Sequence, residues 1–147
     1  QRHISHSPEE TWEIEGRIVA NAPRRLVLAL HGELGSGKTC FVKGVAIALG
    51  INQPIVSPTF TIIREYRGKR PLYHVDLYRL NNPDEVLALG FEEYLQADGI
   101  VAVEWAERAG DLIPSGATRI RFEALPAPDH RAITVITPDN PILEADK

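Results

Sequence analysis

Residues 26–49 read LVLALHGELGSGKTCFVKGVAIAL, an apolar run followed by a glycine-rich turn and a segment whose apolar residues have helical spacing. The turn, residues 32–39, matches the G-x-x-x-x-G-K-[ST] pattern in full, with the strand before it and the helix after it that the pattern requires. Glycines in such a turn let several backbone N–H groups face inward around a phosphate chain, and the start of the next helix adds partial positive charge. The stretch therefore predicts a nucleotide-phosphate site at the end of a buried strand.

Two side chains of this turn have predicted roles. Lys38 would reach the β- and γ-phosphates of a nucleotide, and the hydroxyl of Thr39 would bind Mg²⁺. A contact between unit charges at about 4 Å is worth roughly 4 kcal/mol at an effective dielectric near 20, so we expect loss of Lys38 to weaken binding strongly. The alternative is a turn that only joins a strand to a helix, and such a turn has no use for the Lys-Thr pair.

The composition is typical of a globular chain of 147 residues with a formal net charge of −4 and one cysteine. We expect a single domain with its core at about residues 7–137. No long basic block is present, so RNA, if it matters, would be brought by a partner. Cys40 cannot form an internal disulfide, and neither an apolar signal core nor a membrane-spanning segment is present, so we expect a cytoplasmic protein that does not bind membranes.

Local signals predict the helices and the first hairpin. The segments SPEE at residues 7–10 and NPDE at residues 82–85 combine an N-cap, a proline and a glutamate that closes a capping box. The first helix would run to about residue 20, and Gly50 predicts the end of the helix that follows the glycine-rich turn. Residues 59–66 and 71–80 predict two strands, and their short connection requires antiparallel pairing.

Further strands complete the predicted fold. Residues 99–105, GIVAVEW, form a nearly continuous apolar run that is typical of a central strand. Residues 118–125 and 133–137 predict two more strands, joined by a proline-rich turn. Together these signals predict an α/β fold, a single P-loop domain in which a mixed sheet with antiparallel hairpins is flanked by helices.

Two acidic residues are candidates for the chemistry beside the phosphates. Glu104 closes an apolar strand where P-loop proteins carry a metal-binding acid, and it could bind Mg²⁺ directly, bind through water, or orient the attacking water. Asp76 lies in HVDLYRL with His74 and Tyr78 on its strand face, and this face belongs either to a site or to solvent. We favour the site for Asp76, whereas His74 could equally make a structural hydrogen bond.

Three other residues have an ordinary and a functional interpretation. Thr59 could sense the γ-phosphate as a switch residue or could cap a strand. Cys40, in the first turn of its helix, is more simply a small packing residue than a thiolate. Trp105 could pack below the turn or mark a contact surface, and packing is the default.

The segments GELGSGKT, SPTF, HVDLYRL and VEW, in this order and at these distances, resemble the TsaE (YjeE) family of small P-loop ATPases. That family is required for threonylcarbamoyladenosine (t6A) modification of tRNA. The resemblance covers about residues 7–137 and implies Mg²⁺ near Thr39 and Glu104, with an essential carboxylate at Asp76. It also implies adenine near residues 8–11 and 129–131. The implied ATP-binding residues are Leu34, Gly35, Ser36, Gly37, Lys38 and Thr39.

The resemblance implies an ATPase that serves a complex of TsaD and TsaB and reaches tRNA only through it. An arginine finger is worth about a thousandfold or more in rate, and none is evident, so we expect slow hydrolysis that the partner raises. Arg64, Arg79 and Arg108 are possible internal substitutes. Two alternatives remain: a small-molecule kinase that uses the same turn, and a binding module in which ATP only locks a conformation.

Overall fold

Seven strands form a single mixed sheet in the computed structural model, which describes residues 2–32, 38–55, 62–128 and 130–138. The strands are β1 (Arg2–Ser5), β2 (Arg25–His31), β3 (Ile63–Arg67), β4 (Pro71–Asp76), β5 (Gly99–Glu104), β6 (Thr118–Ala124) and β7 (Arg131–Ile136). The helices are α1 (Pro8–Ala20), α2 (Lys38–Ala48), α3 (Pro83–Leu87) and α4 (Phe91–Leu95), and a 3₁₀ segment spans Ala106–Leu112. None of the helices in these described ranges is long and apolar enough to cross a membrane.

The sheet has the order β1-β7-β6-β2-β5-β4-β3. Its four central strands, β6, β2, β5 and β4, are parallel, whereas β3 pairs with β4, and β7 with β6 and β1, in antiparallel fashion. The predicted mixed α/β sheet is therefore confirmed, including the antiparallel pairing that the short connection before β4 requires.

Helices cover both faces of the central strands. Leu28 and Leu30 of β2 point toward α1 and α2, where they meet buried residues such as Phe41. Val27 and Ala29 point to the other face and belong to a second apolar cluster with residues of α3, α4 and the 3₁₀ segment. Because a strand that is covered on both sides has no solvent face, β2 and β5 are apolar at nearly every position.

The predicted helix starts are confirmed, with one difference in the capping. The side chains of Ser7 and Asn82 accept the backbone N–H of Glu10 and Glu85 at 3.1 and 3.0 Å. The glutamates do not return this bond to the capping residues. Instead, each glutamate accepts the backbone N–H of the residue before the cap. Glu10 accepts that of His6, and Glu85 accepts that of Asn81 at 3.4 Å. In a capping box the glutamate would accept the backbone N–H of the capping residue itself. Here it accepts the N–H of the residue before the cap, so three residues instead of two hold each helix start.

β4 and β5 end earlier than predicted, each for an identifiable local reason. β4 stops at Asp76 because the carboxylate of Asp76 accepts the backbone N–H of Tyr78 at 2.9 Å, which begins a turn. Tyr78 therefore does not lie on the strand face with His74, and that prediction is wrong. β5 stops at Glu104 because Trp105 adopts a left-handed backbone conformation with φ 58°.

Candidate functional site

Asp76 and Glu104 lie side by side at the end of the parallel strands. Each is the last residue of its strand, and the two are direct partners in the register of β4 and β5. Leu30, in the neighbouring strand β2, is the partner of Glu104 on its other side. The turn after β2 leads to the predicted phosphate site, so both carboxylates stand at the edge of the sheet where that site is expected. Only 7% of Asp76 and 5% of Glu104 is exposed.

His74, two residues before Asp76 on β4, contacts Glu104. Its Nε2 atom lies 2.5 Å from Oε2 of Glu104, and the histidine is fully buried. Nδ1 of the same ring has no hydrogen-bond partner among the residues that the structure describes. Of the two interpretations of His74, the hydrogen bond within the fold is therefore present, and it joins the histidine to a predicted site residue.

Asp76 is held by its own turn and by its neighbours. Burial raises the pKa of its carboxyl above the usual value, the hydrogen bond from the Tyr78 backbone N–H opposes this rise, and the charge of Glu104 adds to it. Two carboxylates that share a buried edge repel each other, and a cation between them would relieve this repulsion. The pair therefore has the electrostatic character of a cation site.

Lys38 begins α2 and faces these acids. Its Nζ atom donates a hydrogen bond of 2.6 Å to the carbonyl oxygen of Gly32 and lies 4.0 Å from the ring centroid of Trp105. Burial lowers the pKa of Lys38, and the negative charges of Glu104, Glu107 and Asp76 oppose that shift. Gly32 has φ 147°, a conformation that a side chain would disfavour, so the glycine places this carbonyl under the lysine.

Two cationic side chains approach the ring of Trp105. Besides Lys38, the guanidinium carbon of Arg108 lies 5.5 Å from the Trp105 ring centroid, and the ring of Tyr78 packs at 5.1 Å. A cation over an indole face is attracted by about 0.5–2 kcal/mol, depending on how dry the site is. The left-handed backbone at Trp105 turns the chain so that the indole covers the lysine, and packing of the ring next to the site is what the structure supports.

Three residues that the sequence analysis did not select form a network beside Lys38. Nδ1 of His31 lies 3.3 Å from Oε2 of Glu107, and its Nε2 lies 3.1 Å from Nη1 of Arg119. A guanidinium can only donate, so Nε2 accepts and Nδ1 carries the proton that faces Glu107. Burial lowers the pKa of His31. The available signal was the position of His31 directly before Gly32, which places its side chain at the end of β2.

A cavity of about 130 Å³ adjoins the start of α2. Cys40, one residue after Thr39, lines it, and the backbone carbonyl of Cys40 accepts the indole N–H of Trp12 at 3.2 Å, which joins α1 to α2. Burial raises the pKa of the Cys40 thiol, which favours the packing role over the thiolate. The other lining residues are Ser7, Pro8, Thr11, Phe122, Arg131 and Ile133. The cavity therefore brings together α1 and β7, the two regions where the resemblance implies adenine.

A larger cleft of about 450 Å³ lies elsewhere, near the opposite end of β2. It is lined by residues such as Arg17, Arg25 and Thr118. Lys38, Asp76 and Glu104 do not line it, so cleft size alone would point away from the predicted chemistry.

Several predicted residues lie outside the described part of the chain. The backbone of Thr39 belongs to α2, but its side chain is not among the described features. Among the described residues, no group of three or more histidine, cysteine or acidic side chains could hold a metal by itself. The predicted site residues outside the described ranges are Leu34, Gly35, Ser36, Gly37 and Thr59, together with Asp129 of the adenine region.

The three candidate arginines differ in their surroundings. Arg108 donates a hydrogen bond of 2.7 Å from Nη1 to the carbonyl oxygen of Leu80 and lies beside Trp105. Arg64 lies on the edge strand β3 and is exposed, as is Arg79 in the turn after β4. Arg108 therefore contacts Trp105, which covers Lys38.

Comparison with known proteins gives a consistent answer. Residues 5–133 match the family model described as "Threonylcarbamoyl adenosine biosynthesis protein TsaE". A Treponema pallidum protein named tRNA threonylcarbamoyladenosine biosynthesis protein TsaE is 39% identical over 137 residues, which cover 91% of this chain and 98% of that protein. A Bacillus subtilis protein of the same name is 44% identical over 129 residues, covering 87% of this chain and 80% of the relative.

A solved structure agrees with this result. The crystal structure of Bacillus subtilis YdiB matches with a TM-score of 0.78 at 38% identity, over 92% of this chain and 83% of that one. The family expected from the four sequence segments is confirmed: the chain belongs to the TsaE family.

Proposed function

We propose that this chain binds ATP with Mg²⁺, hydrolyses it slowly, and thereby serves t6A modification of tRNA. The single observation that carries the proposal is the placement of Lys38, at the start of α2, against two buried acids at the ends of neighbouring parallel strands. The names of the relatives support the role in t6A biosynthesis. The ATPase step is inferred from the chemistry of the site.

The donor set fits a magnesium ion that is shared with a nucleotide. Mg²⁺ is usually held by one or two carboxylates, phosphate oxygens and water rather than by a cage of protein ligands. Glu104 supplies such a carboxylate, and Asp76 lies beside it with a pKa raised by burial and by the charge of Glu104, which a cation would relieve. Glu104 and the hydroxyl of Thr39 would hold the cation, which supplies charge neutralisation at the phosphate oxygens when it is bound.

The remaining residues would act on the phosphates and on water. Lys38 would exchange its contacts with the Gly32 carbonyl and Trp105 for contacts with the β- and γ-phosphates. The backbone N–H groups of residues 34–39, with the start of α2, would hold the rest of the phosphate chain. Asp76 would orient the attacking water, because its carboxylate is fixed by the Tyr78 backbone N–H beside Glu104.

The 130 Å³ cavity is the proposed adenine site. Pro8, Phe122 and Ile133 provide apolar surfaces that suit a flat base, and the hydroxyl of Thr11 and the guanidinium of Arg131 provide polar groups at its rim. Cys40 lines the cavity and directly follows Thr39 of the predicted phosphate site. A nucleotide with its base in the cavity could therefore place its phosphates at the start of α2.

The proposed partners are TsaD- and TsaB-like proteins, with tRNA reached through their complex. We infer slow hydrolysis by the isolated chain, because Arg108, which lies beside Trp105, is engaged with that ring and with the Leu80 carbonyl. An arginine supplied or released on docking is worth about 10³-fold or more in rate.

Binding of a fluorescent ATP analogue by Lys38→Ala tests the proposal directly. Loss of a full charge contact would lower the affinity more than a hundredfold. Because Lys38 gives up its contacts with the Gly32 carbonyl and Trp105 when it binds phosphate, we expect the affinity to fall about 10- to 100-fold. Lys43→Ala is the matched control, since Lys43 is exposed on the same helix, and it should bind as the wild type does. Equal affinity of both variants would contradict the proposal.

The product of turnover separates the proposal from the two alternatives. Release of free phosphate, raised by added TsaD and TsaB, supports the ATPase. A phosphorylated metabolite would instead indicate a kinase. If Asp76→Asn abolishes hydrolysis but sustains t6A formation in a reconstituted reaction, ATP acts only by locking a conformation.

A further inference from the structure

We propose that His74 is a positioning residue, which fixes the carboxylate of Glu104 for the cation that accompanies ATP. This inference rests on the proposed function. It concerns a residue for which sequence reasoning left a structural and a functional interpretation equally open.

The register of the sheet makes the contact possible. In the parallel pair β4 and β5, His74 lies opposite Ala102, and Asp76 lies opposite Glu104. Side chains two positions apart share a face of the sheet, so His74 and Glu104 are diagonal neighbours on the face that α1 and α2 cover. Ala102 is small and fully buried, which leaves room for the imidazole to reach along β5 to the carboxylate.

The surroundings of the ring determine which way the hydrogen bond runs. Nε2 lies 2.5 Å from Oε2 of Glu104, and Nδ1 has no hydrogen-bond partner among the described residues. A carboxylate oxygen accepts and cannot donate, so the hydrogen bond runs from the Nε2–H of His74 to Oε2 of Glu104. A ring with its proton on Nε2 leaves only a lone pair in the core. The arrangement therefore makes His74 the donor and the carboxylate of Glu104 the acceptor.

This bond has a consequence for the site. A glutamate has several rotatable bonds, and its carboxylate must be held in one orientation to bind a cation with Mg²⁺-like geometry. A donor to one carboxylate oxygen removes that freedom and leaves the negative charge in place. Partners of metal ligands typically change metal affinity or activity 10- to 100-fold when they are mutated. Lys38, the nearby cation, cannot take over this task while it contacts phosphate.

The test compares His74→Leu with His74→Gln. Leucine fills the buried site without a donor, whereas the side-chain amide of glutamine reaches about as far as Nε2 and can donate to Glu104. Leu72→Val is the matched control, because Leu72 is fully buried on the same face of the same strand and is not part of the site. The measurements are the Mg²⁺ concentration for half-maximal binding of a fluorescent ATP analogue and the affinity for that analogue in EDTA.

We expect His74→Leu to raise the required Mg²⁺ concentration about 10- to 100-fold while the affinity in EDTA stays within about twofold. His74→Gln should recover most of the Mg²⁺ response, and Leu72→Val should match the wild type. Unchanged Mg²⁺ dependence in His74→Leu, or the same loss in EDTA as with Mg²⁺, would overturn the inference. Failure of the proposed function has a different signature, which is a wild-type chain without Mg²⁺-dependent nucleotide binding.

A second measurement does not require the leucine variant to fold. The imidazole ¹H–¹⁵N spectrum of the wild-type chain should show His74 with its proton on Nε2, shifted downfield by the carboxylate. Glu104→Gln should move that proton upfield, because an amide oxygen is a weaker acceptor than a carboxylate. An unchanged His74 resonance in Glu104→Gln would show that the contact is absent, and the inference would be withdrawn.

Discussion

Replacing Glu15 with glutamine should stabilise the chain at neutral pH. Glu15 lies on α1, is fully buried against α2, and neither of its carboxyl oxygens has a hydrogen-bond partner among the described residues. Burial raises the pKa of its carboxyl from 4.5 to about 10; the backbone amide of Val45 opposes this rise, although its geometry falls short of a hydrogen bond. The side chain is therefore protonated in the folded chain at pH 7 and ionised in the unfolded chain.

The magnitude follows from this difference in protonation. A group whose folded pKa lies above its unfolded value contributes fully below the unfolded pKa, here 4.5, and its contribution is lost as pH rises toward about 10. Each pH unit in this window lowers the free energy of unfolding by about 1.4 kcal/mol. At pH 7 the accumulated cost is roughly 3 kcal/mol, and it depends little on the folded pKa as long as that pKa stays well above 7.

Urea unfolding of wild type and Glu15→Gln between pH 6 and pH 8 measures this effect. The free energy of unfolding of the wild type, relative to that of the variant, should fall by roughly 3 kcal/mol over these two pH units. The slope is a better measure than the value at one pH, because a buried amide and a buried carboxylic acid differ by a constant amount. Glu13→Gln is the control, since Glu13 is exposed on the same helix.

A pH-independent difference between wild type and Glu15→Gln would refute the reasoning. It would mean that Glu15 has the same charge in the folded and unfolded chains, either because water reaches the carboxylate or because a cation accompanies it. A slope that Glu13→Gln shares with Glu15→Gln would instead assign the effect to the overall charge of α1.

Two further substitutions test packing and capping. Gly44→Ala should lower the free energy of unfolding by about 1–3 kcal/mol despite the better helix propensity of alanine, because the new Cβ would lie 2.1 Å from Oε2 of Glu15. Urea unfolding should also show that this loss is largely relieved in a Glu15→Ala background, and additive losses would contradict the contact. Asn82→Ala should cost about 1 kcal/mol, because the cap bond to the Glu85 N–H is lost, and should lower Tm by about 3 °C. An unchanged Tm in a calorimetric scan would show that the cap at α3 does not contribute.

Much of the fold could be predicted because its signals are local. The apolar strand, glycine-rich turn and helix at residues 26–49 are contiguous, and a short connection permits only antiparallel pairing of β3 and β4. The end of α2 was also predictable, since Gly50, two residues after its last residue, adopts φ 72°. The approach of Asp76 and Glu104 follows from parallel strands that end together, once β4 and β5 are known to be neighbours.

Other features depend on partners that are distant in the sequence. β1 is four residues long and pairs with β7 near the far end of the described chain, so no local pattern marks it as a strand. Burial of Glu15 depends on Gly44, which provides space on a different helix. On α1 the apolar Ile18 is only partly buried, whereas the acidic Glu15 is fully buried. A sequence pattern indicates the local preference of a side chain for burial or exposure. It does not show the space that a distant element leaves for that side chain.

The buried acids of this chain differ in what surrounds them, and this difference separates a site from a packing feature. Glu15 has a glycine opposite its carboxyl and no charged partner in the described residues, so burial favours its neutral, protonated form. Glu104 has the His74 imidazole beside it and Lys38 nearby, and Asp76 has a backbone donor. The Tyr78 backbone N–H and the charge of Lys38 partly offset the burial that raises the pKa of Asp76. Burial alone would have selected all three acids, whereas the partners select Asp76 and Glu104.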